Sequence, residues 1–205
     1  MSSETPCELS DLILRAKQGC SASLGQLLEM YRSYLRLISS FQMSRQMLEK
    51  FSPSDIVQGT FLQAHRRFTE FQGGTERELI AWLRKILASH MGMEIRKYTA
   101  RARDVRVERR LQQQLDQSSL VLAGVFSAST ESPSQTASRR ERAVILANAL
   151  SQLPANYREV IVLRHLRAYR FSEVAAEMNQ SVDSVRAMWR RAIKRLRELL
   201  GDNVL

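Results

Sequence analysis

Phe171–Leu200 reads FSEVAAEMNQSVDSVRAMWRRAIKRLRELL, two short segments about a polar turn. In the second segment Val185, Met188, Trp189, Ala192, Ile193, Leu196, Leu199 and Leu200 recur at three- and four-residue spacing, the period of one helix face. Arg186, Arg190, Arg191, Lys194, Arg195 and Arg197 fall mostly on the other side. Ser181 stands where an N-cap belongs, and Asp183 lies just inside, at the positive end of the helix dipole. Upstream, Val174, Ala175 and Met178 mark a short helix with small residues at its middle, and Asn179-Gln180-Ser181 supplies the turn. Such a pair matches a helix-turn-helix, whose second helix enters the DNA major groove. A basic amphipathic helix can also be a solvated surface, or a membrane-surface or calmodulin-type segment. The short first helix, the tight turn and the small Ala175 favour DNA.

The rest of the chain decides what kind of DNA-binding protein this is. Its 205 residues suffice for one ordinary domain or two small ones, and a hydrophobic fraction of 44% suits a globular fold. A net charge of +10 and a pI of about 10.3 favour a polyanionic partner, most commonly nucleic acid. The longest apolar run, Leu120 to Phe126, contains a glycine and is far short of the roughly 20 residues that span a bilayer. The N-terminus MSSETPCELSD lacks the basic and apolar regions of a signal peptide, so a cytoplasmic location without membrane attachment is expected. Cys7 and Cys20, with no nearby histidine, fit neither a zinc site nor a disulfide framework and are expected to be ordinary reduced thiols.

No stretch alternates with period two over strand length, so the expected fold class is all-α: two small helical modules joined by a flexible linker. Ser10 is expected to cap a first helix, Asp11 to Gln18, ended by Gly19. A second helix is predicted from about Ser23 to Phe41, with Leu24, Leu27, Leu28, Tyr31, Leu35, Ile38 and Phe41 inward and Tyr34 off that face. Ser52-Pro53 starts a helix over 55–68, with Ile56, Val57, Thr60, Phe61, Ala64 and Phe68 inward. After the loop Phe71-Gln72-Gly73-Gly74-Thr75, another helix runs to about Tyr98. From Arg84 to Arg110, nine basic residues stand against Glu94, Asp104 and Glu108, interleaved with Trp82, His90 and Tyr98. Charge for phosphates beside flat rings for bases suits a strand of opened DNA, although Trp82 alone reads better as core.

Residues 112–138 turn rich in Gln, Ser and Thr and read as a linker, partly helical before Ser127. Helical pattern returns at Arg139, with Val144, Ile145, Ala149 and Leu150 inward, and Pro154 opens the helix before the helix-turn-helix. The C-terminal module thus has about four helices.

Taken together, the two halves resemble the extracytoplasmic-function (ECF) sigma factors of bacterial RNA polymerase, in the sigma-70 family. Asp55-Ile56-Val57-Gln58-Gly59-Thr60-Phe61-Leu62 is similar to the family's Asp-x-x-Gln-x-Thr-Phe-Leu motif in its second conserved region. Leu153-Pro154-Ala155-Asn156-Tyr157-Arg158-Glu159-Val160, running on through Leu200, is similar to the fourth. The resemblance implies a region 2-like domain at 9–104, a linker at 105–139 and a region 4-like domain at 140–200.

It also implies a division of labour. Asp55, Gln58 and Phe61 would meet the clamp coiled coil of the polymerase β′ subunit, with Gly59 where many relatives carry an acidic residue. The loop at Phe71, Gly73 and Gly74 would receive a flipped base of the −10 element, its glycines allowing close approach. The following helix would contact that element through Trp82, Lys85, Ser89, Arg96 and Lys97, Ser89 standing where relatives often have asparagine. Ser184, Arg186, Ala187, Arg190 and Arg191 would contact the −35 element, where arginine can pair in bidentate fashion with guanine. Arg170 occupies the place of the usual serine cap of the first helix of the motif, and Ser172 is expected to cap a later start. The linker would thread the polymerase active-site channel and RNA exit path.

No catalytic constellation and no metal or cofactor site is expected: His65, His90 and His165 are scattered, and no phosphate loop is present. The implied partners are core RNA polymerase (β′ and β subunits) and promoter DNA, with an anti-sigma factor left open. The rival reading is a stand-alone helix-turn-helix regulator that binds DNA as a dimer.

Overall fold

The computed structural model describes residues 6–43, 45–48, 50–99, 105–124 and 136–201. Among them there is no strand, and eleven α-helices follow in order: α1 (Pro6–Lys17), α2 (Ser21–Met30), α3 (Arg32–Gln42), α4 (Arg45–Leu48), α5 (Pro53–Arg67), α6 (Glu76–Thr99), α7 (Val105–Gly124), α8 (Thr136–Ser151), α9 (Ala155–Ile161), α10 (Phe171–Glu177) and α11 (Val182–Leu200). The chain divides into two compact units, 1–118 and 119–205, and the division falls within α7.

In the first unit, α1 starts at Pro6, so Ser10 lies inside the helix rather than capping it. The helix ends with Gly19 at a φ of 91°, where the Gly19 and Cys20 amides reach back to the carbonyls of Ala16 and Arg15. The single helix expected over 23–41 is interrupted at Tyr31, which leaves helical geometry (φ −99°, ψ 1°) between α2 and α3. The break turns Tyr31 fully inward, where its hydroxyl donates to Glu76 on α6 at 3.1 Å. Tyr34, expected off the apolar face, is also fully buried, because the bend rotates α3 onto its neighbours. With Leu27, Leu35, Ile38, Ile56, Val57, Leu79, Leu83 and Leu87 these rings make one core beneath α5 and α6.

α5 begins with a reciprocal cap. The Ser52 hydroxyl accepts from the Asp55 amide at 3.2 Å, while the Asp55 carboxylate accepts from the Ser52 amide at 3.0 Å. α6 begins with another: Glu78 Oε2 accepts from the amides of Gly74 and Thr75 at 2.9 and 3.0 Å, and its own amide donates to Thr75 Oγ1 at 3.3 Å.

Residues 105–124, the start of the linker that the resemblance implies, form the twenty-residue helix α7, which takes in the part of 112–138 expected to be helical before Ser127. Asp116 accepts from Arg84 at 2.6 Å, Glu108 accepts from Arg96 at 2.9 Å, and Gln42 donates to Ser118 at 2.8 Å. Leu111 and Leu115 are buried between these polar ties. Helix α7 approaches α6 so closely that a Cβ on Gly92 would stand 2.9 Å from Glu108 Cγ. Residues 125–135, the rest of the expected flexible segment apart from the start of α8, lie outside the described residues.

In the second unit, Ala143, Val144, Leu146, Ala147, Ala149 and Leu150 bury one side of α8. Ile145, expected inward, is 45% exposed because it falls between the buried rows of the helical period. α9 passes into a π-helical turn at Val162–Leu166, burying Val160, Ile161 and Leu163. The Arg158 guanidinium holds the end of α8, donating to the carbonyls of Leu150, Ser151 and Leu153 at 3.0–3.1 Å.

Candidate nucleic-acid and polymerase interfaces

The helix-turn-helix is built by backbone caps at both sides of its turn. Asn179 adopts the left-handed conformation (φ 52°), so the Gln180 amide reaches Ala175 O at 2.9 Å and the Asn179 amide reaches Ala176 O at 3.3 Å. These two bonds satisfy the last carbonyls of α10. Ser181, extended at ψ 151°, then accepts the Ser184 amide at 3.2 Å and starts α11 as its position predicts. At the other end, α10 starts at Phe171 with Arg170 as its N-cap residue, and Glu173 accepts the Arg170 amide at 2.6 Å. The later start with Ser172 as cap is therefore corrected: the glutamate three residues on satisfies the amide that a serine cap leaves to its partner.

Val185, Met188, Ala192 and Leu196 anchor α11 to the unit, with Trp189 and Ile193 half-buried. That leaves Ser184, Arg186, Arg190 and Arg191 at the front of the helix, with Ala187 between them. Arg186 lies 3.6 Å from Asp183 and 5.9 Å from the Phe171 ring centre, and Arg191 donates to the Ala187 carbonyl at 3.3 Å. Both are loose surface contacts, which a phosphate or a base edge can replace at little cost. Farther along, Trp189, Arg190, Ile193, Lys194 and Arg197 line a shallow groove that continues the basic side.

Behind α11 lies a ring cluster that no motif announces. Trp189 Nε1 donates to His165 Nε2 at 2.9 Å, the two rings stack at 5.9 Å, and Phe171 meets Trp189 edge-on at 5.7 Å. Burial, and then the Arg164 charge, push the His165 pKa below its ordinary value. The neutral form is the one the tryptophan N–H requires.

In the first unit, Trp82, Lys85, Ser89 and Arg96 share one stripe of α6, since their spacings of three, four and seven residues follow the helix period. Lys85 is exposed at the surface of this stripe. Arg96 is held by Glu108 of α7, and Lys97 lies off the stripe, paired with Glu94 at 2.7 Å. Arg84, counted in the basic stretch, has a side chain only 3% exposed, bonded to Asp116 and to the Tyr34 hydroxyl at 3.2 Å. It is a core residue, out of reach of DNA.

The loop before α6 is more internally committed than its glycines suggest. Phe71 is buried, packing on Phe68 and Trp82 with ring centres 5.5 and 5.4 Å apart. Trp82 is half-buried in that cluster and keeps an edge toward the surface. A Cβ on Gly73 would stand 2.7 Å from the Phe71 ring and 2.6 Å from Glu78 Cβ, so Gly73 serves packing, and only Gly74 faces open space. Hydrogen bonds from the Thr75 hydroxyl and the Gly74 and Thr75 amides hold the Glu78 carboxyl below the usual carboxylate range. The sequence signal for this cap is the Thr-x-x-Glu spacing of Thr75 and Glu78.

On α5, Asp55 and Gln58 are exposed, and the next residue on their stripe is Leu62, 58% exposed. Phe61, expected beside them, is half-exposed and lies under the Arg32 guanidinium, 5.0 Å from the ring centre. Phe61 is turned toward Arg32, and the exposed apolar side chain on this stripe is thus Leu62. Its spacing of four from Gln58 and seven from Asp55 is the signal that sequence reasoning missed. Asp55 has a second duty as the α5 cap, and the bonds from Ser52 lower its pKa. Gly59 has a structural cause: the His90 ring stands where a Cβ would project, with His90 Nδ1 and Gln63 Nε2 3.0 Å apart.

No helix among the described residues is long and apolar enough to cross a membrane. Comparison with known proteins accords with the geometry of the second unit first. Residues 143–196 match the family model described as sigma-70, region 4. Over 176 residues, 86% of this chain and 96% of the relative, the sequence is 23% identical to the ECF RNA polymerase sigma factor SigM of Bacillus subtilis (strain 168). Among solved structures, a RsbN-BldN complex is 19% identical over 91% of this chain and 98% of that chain, with a TM-score of 0.31. CnrH in complex with the cytosolic domain of CnrY is 24% identical over 95% and 97%, also with a TM-score of 0.31. At such scores neither superposition bears on the argument.

Proposed function

We propose that this chain, a sigma-70-family protein of the ECF type, directs core RNA polymerase to promoters by reading a −35 element with its second unit and a −10 element with its first. One observation carries the reading. The region 4 match covers 143–196, and within it α11 turns Arg186, Arg190 and Arg191 outward from a capped, well-anchored helix. A helix so held delivers several arginines to a major groove without further ordering cost, some to guanine edges and some to phosphates.

The first unit supplies polymerase docking and opening of the duplex. Asp55, Gln58 and Leu62 form an edge with two polar groups around one apolar contact, suited to a β′ helix pair. Trp82, Lys85 and Ser89 form the stripe for the opened −10 strand: one ring edge for a base, one cation for a phosphate, one hydroxyl. Arg96 joins them only when it leaves Glu108. A base flipped out of the stack would rest beside Gly74 and the free edge of Trp82, because Phe71 and Gly73 are occupied internally. A chain working on polymerase in this way acts in the cytoplasm, and an anti-sigma factor would act by covering these edges. The rival dimeric regulator leaves unused the similarity that extends through the N-terminal half.

The test is reconstitution of holoenzyme with Arg186→Ala and Arg190→Ala variants. Initiation should become insensitive to the −35 sequence while affinity for core polymerase is unchanged. Equal loss of core binding would assign α11 to a protein contact instead.

A further inference from the structure

Helix α7 sorts its charges by side. Both of its acids, Glu108 and Asp116, face α6 and are bonded to Arg96 and Arg84. The outward residues at the opposite period are Arg106, Arg110, Gln113 and Gln117, all exposed, and Arg109, also exposed, flanks them on the side nearer Asp116. Every polar side chain on this ridge can donate hydrogen bonds, and none carries negative charge. From Arg106 to Gln117 the ridge is about 16 Å long at 1.5 Å per residue. It therefore runs past several phosphates of a DNA strand, which rise about 3.4 Å apart.

We propose that this outer ridge of α7, centred on Arg110 and flanked by Arg109, binds the phosphate backbone of duplex DNA alongside the element opened by the first unit. The inference rests on the initiation reading and adds a contact outside both promoter-reading helices. Duplex rather than opened strand is the partner because residues 105–124 contain no aromatic side chain, and single strands are held by stacking as well as charge. A backbone contact needs only cations and N–H donors in register, which is what the ridge offers. The ion pairs to α6 hold the helix so that this side stays outward, and they remove the two carboxylates that would repel a phosphate.

The experiment compares wild-type holoenzyme with one carrying Arg109→Ala and Arg110→Ala, titrated with duplex promoter DNA over a series of salt concentrations. Both residues are exposed, so the melting temperature should stay that of wild type. Promoter affinity should fall, and the slope of log affinity against log salt should shrink by about 0.9 for each phosphate that is no longer neutralised. Core-polymerase affinity should not change. An unchanged slope with wild-type initiation overturns the ridge and leaves the initiation reading standing. Weakened core binding at an unchanged DNA slope makes the ridge a protein-binding surface and also overturns it. An effect confined to pre-opened, single-stranded promoter DNA overturns the assignment to duplex. Failure of wild type to form holoenzyme removes the initiation reading, and the ridge with it.

Discussion

Trp189 Nε1 donates to His165 Nε2 at 2.9 Å, tying α11 to the helical turn behind it through a histidine that must be neutral to accept. Protonation would remove this acceptor and add a cation to a cluster that already holds Arg164 and Arg186, both against the Phe171 ring.

Stability of the second unit should therefore fall on mild acidification. The unfolded chain takes up the His165 proton near the ordinary value of about 6.5. Burial delays uptake in the folded state to lower pH. Between these points the unfolded state binds more protons, so stability rises with pH. The contribution is complete above the unfolded value and declines as pH falls toward the folded one. His90, also lowered chiefly by burial, acts with the same sign in the first unit. In a Trp82→Phe background, Trp189 fluorescence should report a lower melting temperature at about pH 5.5 than at about pH 7.5. His165→Asn should flatten the difference, and an equal drop in both proteins would refute the role of His165.

Gly59 should resist substitution because of His90. Gly59→Ala forces the imidazole out of its seat and should cost about 1–3 kcal/mol, the range for overpacking a filled site. Adding His90→Ala should recover much of that loss. A destabilisation that persists in the double variant would point to the backbone of α5 rather than to the ring. Denaturant unfolding of the three proteins decides between them.

These glycine and histidine positions mark where the sequence is legible and where it is not. Helical period alone identifies most of the buried rows of α5 and α11, and the Ser181 cap stands as expected. Period reports one face of one helix. It cannot foresee that Tyr31 breaks α2 from α3, or that Arg84 is drawn inward by Tyr34 and Asp116 from distant helices. Gly59 reads as a missing polymerase contact because its partner, His90, is far away in the chain. Composition marks residues 112–138 as linker because Gln and Ser are common in linkers. Yet Leu111 and Leu115 stand four apart on one helical face and, with Asp116, attach α7 to the first unit.

Asp116→Ala should loosen that attachment. It leaves the Arg84 guanidinium, 3% exposed, beside the Tyr34 hydroxyl with no carboxylate to balance its charge, while Asp116 itself is 43% exposed. The expected loss is about 2 kcal/mol, in the range for a hydrogen bond to a charged group. Arg84→Met, which removes the buried charge and keeps the bulk, should cost less. Hydrogen exchange across 105–118 should rise in Asp116→Ala, and protection equal to wild type would mean the ion pair does not hold α7.

Leu62→Lys should weaken core-polymerase binding about tenfold or more without changing the melting temperature, because the side chain is already largely exposed. Phe61→Ala should instead lower the melting temperature modestly, as the ring packs under Arg32. Loss of core binding in Phe61→Ala alone, with Leu62→Lys like wild type, would reverse the assignment on this edge.

The deciding measurement is in vitro transcription with purified core polymerase, this chain and a genomic fragment library, mapping the 5′ ends of the transcripts. Initiation should depend on the chain and occur at sites sharing two spaced elements. The requirement for the upstream element should vanish in the Arg186→Ala and Arg190→Ala variants. No stable complex with core polymerase, together with a free dimer on palindromic DNA, would overturn the initiation reading.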